Sequence, residues 1–421
     1  MPAPSPFHSR TQPLCRSYAW KDWAGYAAVC TYDSCHEPEY YAVRQTCAVL
    51  DVTPLHKYEI AGADAAEFLA FLTVRDVRAL KAGRVSYLCW CDDDGKLLDD
   101  GTVTVLGDGR YRLTASLPQL HWLSLCADGF DVEITDVSDS MAALALQGPR
   151  ARDVLADLCQ EDVSRLRFFR HRRCTFGDDI AGELTRTGYT GDLGYELWVD
   201  AARAEALWDA LFAVGPSHGL LPMGLDALDM LRIEAGFVLQ GVDYRSARVC
   251  LIEGQRSSPF EMGLGWTVDL ERDDGLPFVG QAALRREAAR GSRYKFVGLE
   301  VSWAAIEALY DAYGLPPARA AAAWRHNTPV YVDELQVGYA TSGTWSPLLK
   351  AELALAHLET RYAEAGSEVA IEMTVEYGQR RRVMARVAEL PFFDPARKRA
   401  IPAKAKATKK AKATAKKAAA S

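Results

Sequence analysis

No run of about 18 apolar residues interrupts this 421-residue chain, so no membrane-spanning helix is expected. Its opening, "MPAPSPFHSRTQPLCRSYAW", lacks the apolar centre of a signal peptide, and the cytoplasm is the expected compartment. There is no serine elbow, P-loop, dinucleotide fingerprint or HExxH motif, so the sequence offers no ready-made protein nucleophile, nucleotide cradle or zinc-protease site. Repeats at solenoid periods are also missing. None of the ten cysteines lies beyond Cys250, and no paired CxxC frames a zinc site. Cys30, Cys35 and His36 come nearest to a ligand cluster. Reduced thiols and no resident metal are expected.

Acid is what the C-terminal tail lacks. From Arg397 onward there are ten Lys or Arg and no Asp or Glu, so the preceding body holds 39 basic residues against 56 acidic, a net −17. An acidic body argues against a nucleic-acid groove. The tail is low in complexity and has no apolar stripe. Residues 397–421 read as disordered, with the charge to contact acidic partners.

What is present is ordinary globular composition, 49% apolar and 25% charged, in a chain long enough for two or three domains. "GADAAEFLAFL" reads as a helix starting at Asp64. "DAARAEALWDALFAVG" reads as one capped by Asp200 and ended by Gly215, and "GLDALDMLRIEAG" as one closed by Gly236. "MAALALQGPRARDVLADL" reads as a buried strand, a Gly148-Pro149 turn and a helix with Pro149 near its first position. Strands are expected over Phe130–Val137 and Tyr111–Ser116, and a hairpin turning at Gly378. The polar, basic stretch 290–295 is the expected domain boundary. Behind it, an all-β module carries one helical insert, "SWAAIEALYDAYGLPP". The fold class is therefore α+β in front and a β-barrel-like domain behind.

Three stretches hold residues suited to chemistry. In "RTGYTGDLGYELW", Gly188 and Gly191 are able to take positive φ and let backbone approach a ligand. Alternation then puts Tyr195 and Leu197 on one strand face and Glu196 and Trp198 on the other. Glu196 beside aromatics suits a flat heterocycle with parallel N–H donors; a plain hairpin with a solvated Glu196 fits the same spacing. In "CDDDGKLLDDGTV", Asp99 and Asp100 fall on opposite faces, so one points inward, unless both are solvated at a polar turn. In "LRIEAGFVLQGVDY", Arg232 ends a helix, where it either complements the dipole or grips a ligand carboxylate. Carboxylates, aromatics and arginine without a protein nucleophile suit a reaction whose cofactor supplies one.

The first stretch resembles the signature of the glycine-cleavage T-protein (aminomethyltransferase) superfamily, which also includes folate-dependent demethylases. "YAVRQTCAVLDVT", "GRVSY", "GKLLDD", "LALQGP", "LDMLRIEAG", "PFEMGLGWTV" and "GYATSGTWSP" resemble its other blocks in order, over roughly residues 20–396. The resemblance implies three subdomains ringed around a tetrahydrofolate site. Residues 1–20 would be an extension, 21–292 two α+β subdomains and 293–396 a β-barrel. It implies Asp99 as the catalytic carboxylate and Glu196 as the grip on the pterin edge. Tyr87, Ser116, Tyr189, Arg232 and Trp266 would line the folate pocket. It also implies that folate N5 takes a one-carbon unit from a donor, either the aminomethyl group on a lipoyl carrier protein or the methyl group of a small N-, S- or O-methylated compound. A folate-binding protein without transfer chemistry is the reading of another class. Several positions depart from the pattern: Ser116 stands where asparagine is usual, and "DVTPLHK", the "GTV" after the aspartate pair and the helical insert differ too.

Overall fold

The computed structural model describes residues 1–272, 275–375 and 378–402, and its architecture is α+β with a closed C-terminal barrel. A five-stranded antiparallel sheet runs in the order Val85–Cys91, Leu97–Gly107, Arg110–Ala115, His56–Ala61, Glu133–Asp136. A six-stranded sheet runs His171–Phe176, Ile180–Thr185, Gly194–Asp200, Met141–Gln147, Cys47–Asp51, Leu220–Pro222, with only the last pair parallel. The barrel closes through Tyr294–Val301, Ala351–Glu359, Leu335–Ser346, Thr328–Val332, Glu368–Thr374 and Arg380–Ala388.

Each open sheet buries one face under helices. Ile60, Leu88, Trp90 and Leu113 of the five-stranded sheet pack with Phe68, Leu69 and Leu72 of the helix Ala65–Leu72. Leu144, Leu146, Tyr195 and Leu197 of the six-stranded sheet pack with Leu155, Leu207 and Leu211 from the helices Ala151–Leu158 and Ala204–Val214. The opposite face of the six-stranded sheet is apolar over part of its area, where Ala48, Leu50, Ala143 and Ala145 pack with Val43, Met230 and Leu231 of two further helices. Arg112 of the first sheet spans the gap to Glu183 of the second at 2.8 Å. The helix Leu225–Glu234 and the loop after it fill the space between this pair of sheets and the barrel.

Gly215 is the C-cap that ends the helix Ala204–Val214, as expected, and a 3-10 turn Gly215–His218 follows as far as Gly219 at φ +75°. Three local expectations need correction. Pro149 lies before the helix, whose N-cap is Arg150. The strand near Phe130 is confined to Glu133–Asp136. The basic tail starts later than Arg397, because Arg397–Pro402 is packed on the first domain. Arg397 pairs with the buried Asp192 through two 2.7 Å bonds, and the buried Arg186 donates to the carbonyls of Lys398 and Ala400. Two buried charges thus find their partners in this segment. Residues 403–421 lie outside the described residues. At the other end, Phe7 is fully buried in the core of the six-stranded sheet, so the N-terminal extension belongs to that domain.

Candidate active site

The three glycines of the signature loop share a cause that spacing alone did not reveal. Only Gly191 takes a positive φ, +75°. At Gly188 and Gly194 a Cβ would lie 2.0 and 2.1 Å from Oε1 of Gln147. That buried side chain threads the loop: its amide reaches the carbonyls of Thr187 and Tyr195, and its oxygen accepts from Thr190 at 2.9 Å. The glycines clear a channel for Gln147, which holds the loop open toward the gap between the sheets.

Glu196 leaves this loop on the face of Trp198, as alternation predicts. Its Oε2 accepts from Thr187 at 2.7 Å and Thr185 at 3.1 Å, while no partner meets Oε1 among the described residues. Burial raises its pKa against the pull of the two threonines. A deep carboxylate with one oxygen fixed and the other open is shaped to accept N–H donors. Tyr189 stacks on Phe237, with centroids 5.5 Å apart, and donates to the carbonyl of Val238.

The aspartate pair falls on opposite sides of its strand, as alternation predicts. Asp99 has no exposed surface, and all its capacity is spent on the protein: Oδ2 accepts from Ser116 N (3.0 Å), Leu117 N (2.9 Å) and Gln119 Nε2 (3.1 Å), and Oδ1 from Asp100 N (2.9 Å). It pins the turn into the helix Leu120–Cys126. Asp100 faces the gap and accepts from Tyr87 at 2.8 Å and from Tyr244. A register shift at Trp90/Cys91, where Leu97 and Leu98 together oppose one step of the neighbouring strand, sets which aspartate turns in. Burial, then the adjacent Asp100 charge, pushes Asp99 up to about 7; burial also raises Asp100 against its two phenol donors. Tyr87 stacks on Trp266 at 6.0 Å, and Trp266 is 63% exposed, so this pair marks the mouth. Tyr87, Asp100, Ser116, Tyr189 and Glu196 all keep partial access while lying deep in the fold, which describes a concave site.

Arg232 is buried between Asp229 (2.7 Å) and Asp243 (2.6 Å), so it does more than complement a helix dipole. Its Nη2 is buried without a partner. Barrel hydroxyls of Thr341 and Ser342 hold the far oxygen of Asp243 at 2.6 and 2.9 Å. Among the described residues no group of three or more His, Cys, Asp or Glu is arranged to hold a metal, and no helix is long and apolar enough to cross a membrane. The cysteines are free thiols.

Comparison with known proteins gives this site a context. Residues 15–272 match the family model for the GCVT N-terminal domain, and residues 313–394 match the glycine cleavage T-protein C-terminal barrel domain. The chain belongs to the glycine-cleavage T-protein family. It is 34% identical over 380 residues to an aminomethyltransferase of Halalkalibacterium halodurans, covering 88% of this chain and 93% of that protein. An aminomethyltransferase of Anoxybacillus flavithermus is 33% identical over 392 residues, covering 90% and 97%. The crystal structure of glycine cleavage system aminomethyltransferase T from Bartonella henselae superposes with a TM-score of 0.78 at 25% identity, over 94% of this chain and 99% of that one.

Within this T-protein fold, Tyr87, Ser116, Tyr189, Glu196, Arg232 and Trp266 lie on or beside the walls of the concavity, and Asp99 lies behind one wall. Sequence reasoning left open which aspartate of the pair points inward by alternation, and it did not name Tyr244 beside Asp100, Phe237 beside Tyr189 or Thr187 beside Glu196. Adjacent buried leucines, Leu97 and Leu98, were the available signal of the bulge. Tyr244 had none, because it sits in a loop without periodicity. Lys57, in the departing "DVTPLHK" segment, is wholly buried and donates to the carbonyls of Thr53 (2.7 Å) and Ser138 (3.2 Å); burial pushes its pKa down to about 8.

Proposed function

We propose that this chain is a tetrahydrofolate-dependent one-carbon transferase that takes an aminomethyl group from a lipoyl carrier protein. The observation that carries this reading is the deep carboxylate of Glu196, one oxygen held by Thr185 and Thr187 and the other without a partner among the described residues, with the stacked rings of Tyr189 and Phe237 nearby. A flat heterocycle bearing adjacent N–H donors would satisfy Glu196. Tyr189, buttressed by Phe237, would pack on its face, and Arg232, whose charge is already paired with Asp229 and Asp243, would hold the wall behind it. Tetrahydrofolate, when bound, supplies the N5 nucleophile that the protein lacks.

The protein's own part is to orient and to stabilise charge. Asp100 takes the catalytic position first expected of Asp99. It is clasped by two phenols and would stabilise positive charge that grows on the transferred carbon. Asp99 is a positioning residue that fixes the strand end and the 116–119 turn. Ser116, just past the strand Arg110–Ala115, donates its N–H to Asp99 and would contribute a hydroxyl to the pocket.

One observation favours a second reading, demethylation of a small methylated compound. Tyr244 brings a phenol against Asp100, and such a pair would deliver a proton to a departing O, S or N atom as its methyl passes to folate N5. Titration with tetrahydrofolate, followed by turnover assays with an aminomethyl-lipoyl carrier and with methylated small molecules, separates the two. Turnover with the carrier alone supports the first reading, and turnover with a free donor replaces it by the second. Absence of folate binding overturns both.

A further inference from the structure

No Lys, Arg or His pairs with Glu196 among the described residues, and burial by itself favours the neutral form of that carboxyl. What meets its Oε2 instead is a set of donors that strand pairing brings together. Thr185 stands directly opposite Glu196 on the neighbouring antiparallel strand, and Trp198 lies two residues beyond Glu196 on the same face. The hydroxyl of Thr187 donates to Oε2 at 2.7 Å and that of Thr185 at 3.1 Å, and the two hydroxyl oxygens are 2.8 Å apart. Behind them the indole N–H of Trp198 donates to the Thr185 oxygen at 3.3 Å. Thr185, Thr187 and Trp198 are all buried.

This chain of groups has a direction. An indole N–H donates and never accepts, so Trp198 meets the Thr185 oxygen with a proton and leaves the Thr185 proton to point on toward Glu196 or Thr187. Each bond polarises the next, so a donor at the far end makes the hydroxyls at the near end stronger donors. Hydrogen bonds given to the charged form hold a carboxylate ionised. The charged groups on the surrounding elements are engaged elsewhere. Arg112 lies 5.7 Å over the Trp198 ring but pairs with Glu183 at 2.8 Å and Glu59 at 3.3 Å, and His171 meets the same Glu183 at 3.0 Å. On the helix Leu225–Glu234, Asp229 and Arg232 pair with each other, Arg232 also pairs with Asp243, and Glu234 pairs with Arg44. Asp100 is clasped by Tyr87 and Tyr244.

We propose that Trp198 and Thr185 are positioning residues that commit Glu196 to an ionised, acceptor-only form with Oε1 open, so that the site selects a ring edge presenting two N–H donors. This rests on the folate reading above. The indole and the two hydroxyls take the part that a paired cation plays elsewhere in the fold. A protonated Glu196 would set an O–H where the ring brings N–H, so affinity is full above the titration of Glu196 and falls as pH drops through it. Loss of the indole donor, or of the Thr185 hydroxyl that passes its polarity on, moves that fall to higher pH.

The test is calorimetric titration with tetrahydrofolate across about pH 5 to 8, on the wild type and on the Trp198→Phe, Thr185→Val and Thr185→Ser variants. The acid midpoint of binding should move up by about half a unit in Trp198→Phe and by about one unit in Thr185→Val. Thr185→Ser, which keeps the hydroxyl, should hold the wild-type midpoint. Thr185→Val has nearly the volume of the native residue and carries the test alone where Trp198→Phe does not fold. A uniform loss of affinity at every pH, with the midpoint unmoved or absent in Trp198→Phe and Thr185→Val, would mean that these side chains only pack the wall, and it overturns the proposal. A shift in Thr185→Ser as large as that in Thr185→Val overturns it too. Both of those results leave the folate site standing. Failure of the wild type to bind tetrahydrofolate at any pH removes the folate reading and this inference with it.

Discussion

Arg232 and Glu234 leave the same helix two residues apart, and both are buried, but the two ends of the network around them differ. Glu234 is saturated. One oxygen accepts from Tyr40 and Ser346 at 2.5 Å each, and the other from two nitrogens of Arg44 at 3.0 and 2.5 Å. Arg44 continues to Asp192, which Arg397 closes from the C-terminal segment. Arg232 has two carboxylates and one nitrogen left over. Asp99 and Asp100 repeat the contrast, one spent on four protein donors, the other turned to the gap with only phenols. In this fold a saturated polar group joins elements together, and an unsaturated one is where the proposed ligand would find a partner.

The contrast breaks most readily on the saturated side. Arg44→Ala would leave the buried Glu234 carboxylate without its only cation and should cost about 3–5 kcal/mol of stability. The lowered midpoint would be seen in urea unfolding, with folate affinity unchanged at temperatures where the variant is folded. If Arg44→Ala unfolds at the wild-type midpoint, the saturated network is not what joins the barrel to the first domain.

On the unsaturated side, Asp100→Asn should slow turnover by about 10²–10³-fold, in the range found for removal of a charge-stabilising group, with folate binding retained. Asp99→Asn should instead cost about 1–3 kcal/mol of stability, because its amide opposes backbone N–H groups. Steady-state rates and unfolding curves on both variants separate them. If Asp99→Asn stops turnover in a fully folded protein and Asp100→Asn does not, the roles are reversed. Glu196→Ala comes next: loss of a charge-assisted acceptor should weaken tetrahydrofolate binding by about 10–100-fold in direct titration. Retained affinity there would move the pterin away from this wall.

Much of this was legible in the sequence. The face shared by Glu196 and Trp198 follows from a strand period of two, the helix Leu225–Glu234 from its apolar stripe, and the barrel from its alternating strands. What was hidden depends on contacts distant in sequence. Whether Asp99 or Asp100 turns in is decided by a bulge against the neighbouring strand. Gly188 and Gly194 answer to Gln147, some forty residues earlier, rather than to their own torsions. Arg397 looked like the first residue of a solvated tail because its partner, Asp192, lies in another domain.

The smallest effect tests whether the two aspartates are electrically joined. Asp99 is raised to about 7 in the folded protein from an ordinary 3.8, first by burial and then by Asp100. The folded state therefore keeps a proton that the unfolded chain releases between about pH 4 and 7. This contribution to stability is full below about pH 4, declines as pH rises through that window and is gone above about 7. Asp100→Asn removes the neighbouring charge but not the burial, so the Asp99 pKa should fall part of the way and the decline should end at lower pH. The difference amounts to a fraction of a proton, under about 1 kcal/mol per pH unit. Urea midpoints of wild type and Asp100→Asn between pH 4.5 and 8 would measure it. Parallel curves would mean that burial alone sets Asp99, and that the saturated and unsaturated carboxylates, though adjacent on one strand, work independently.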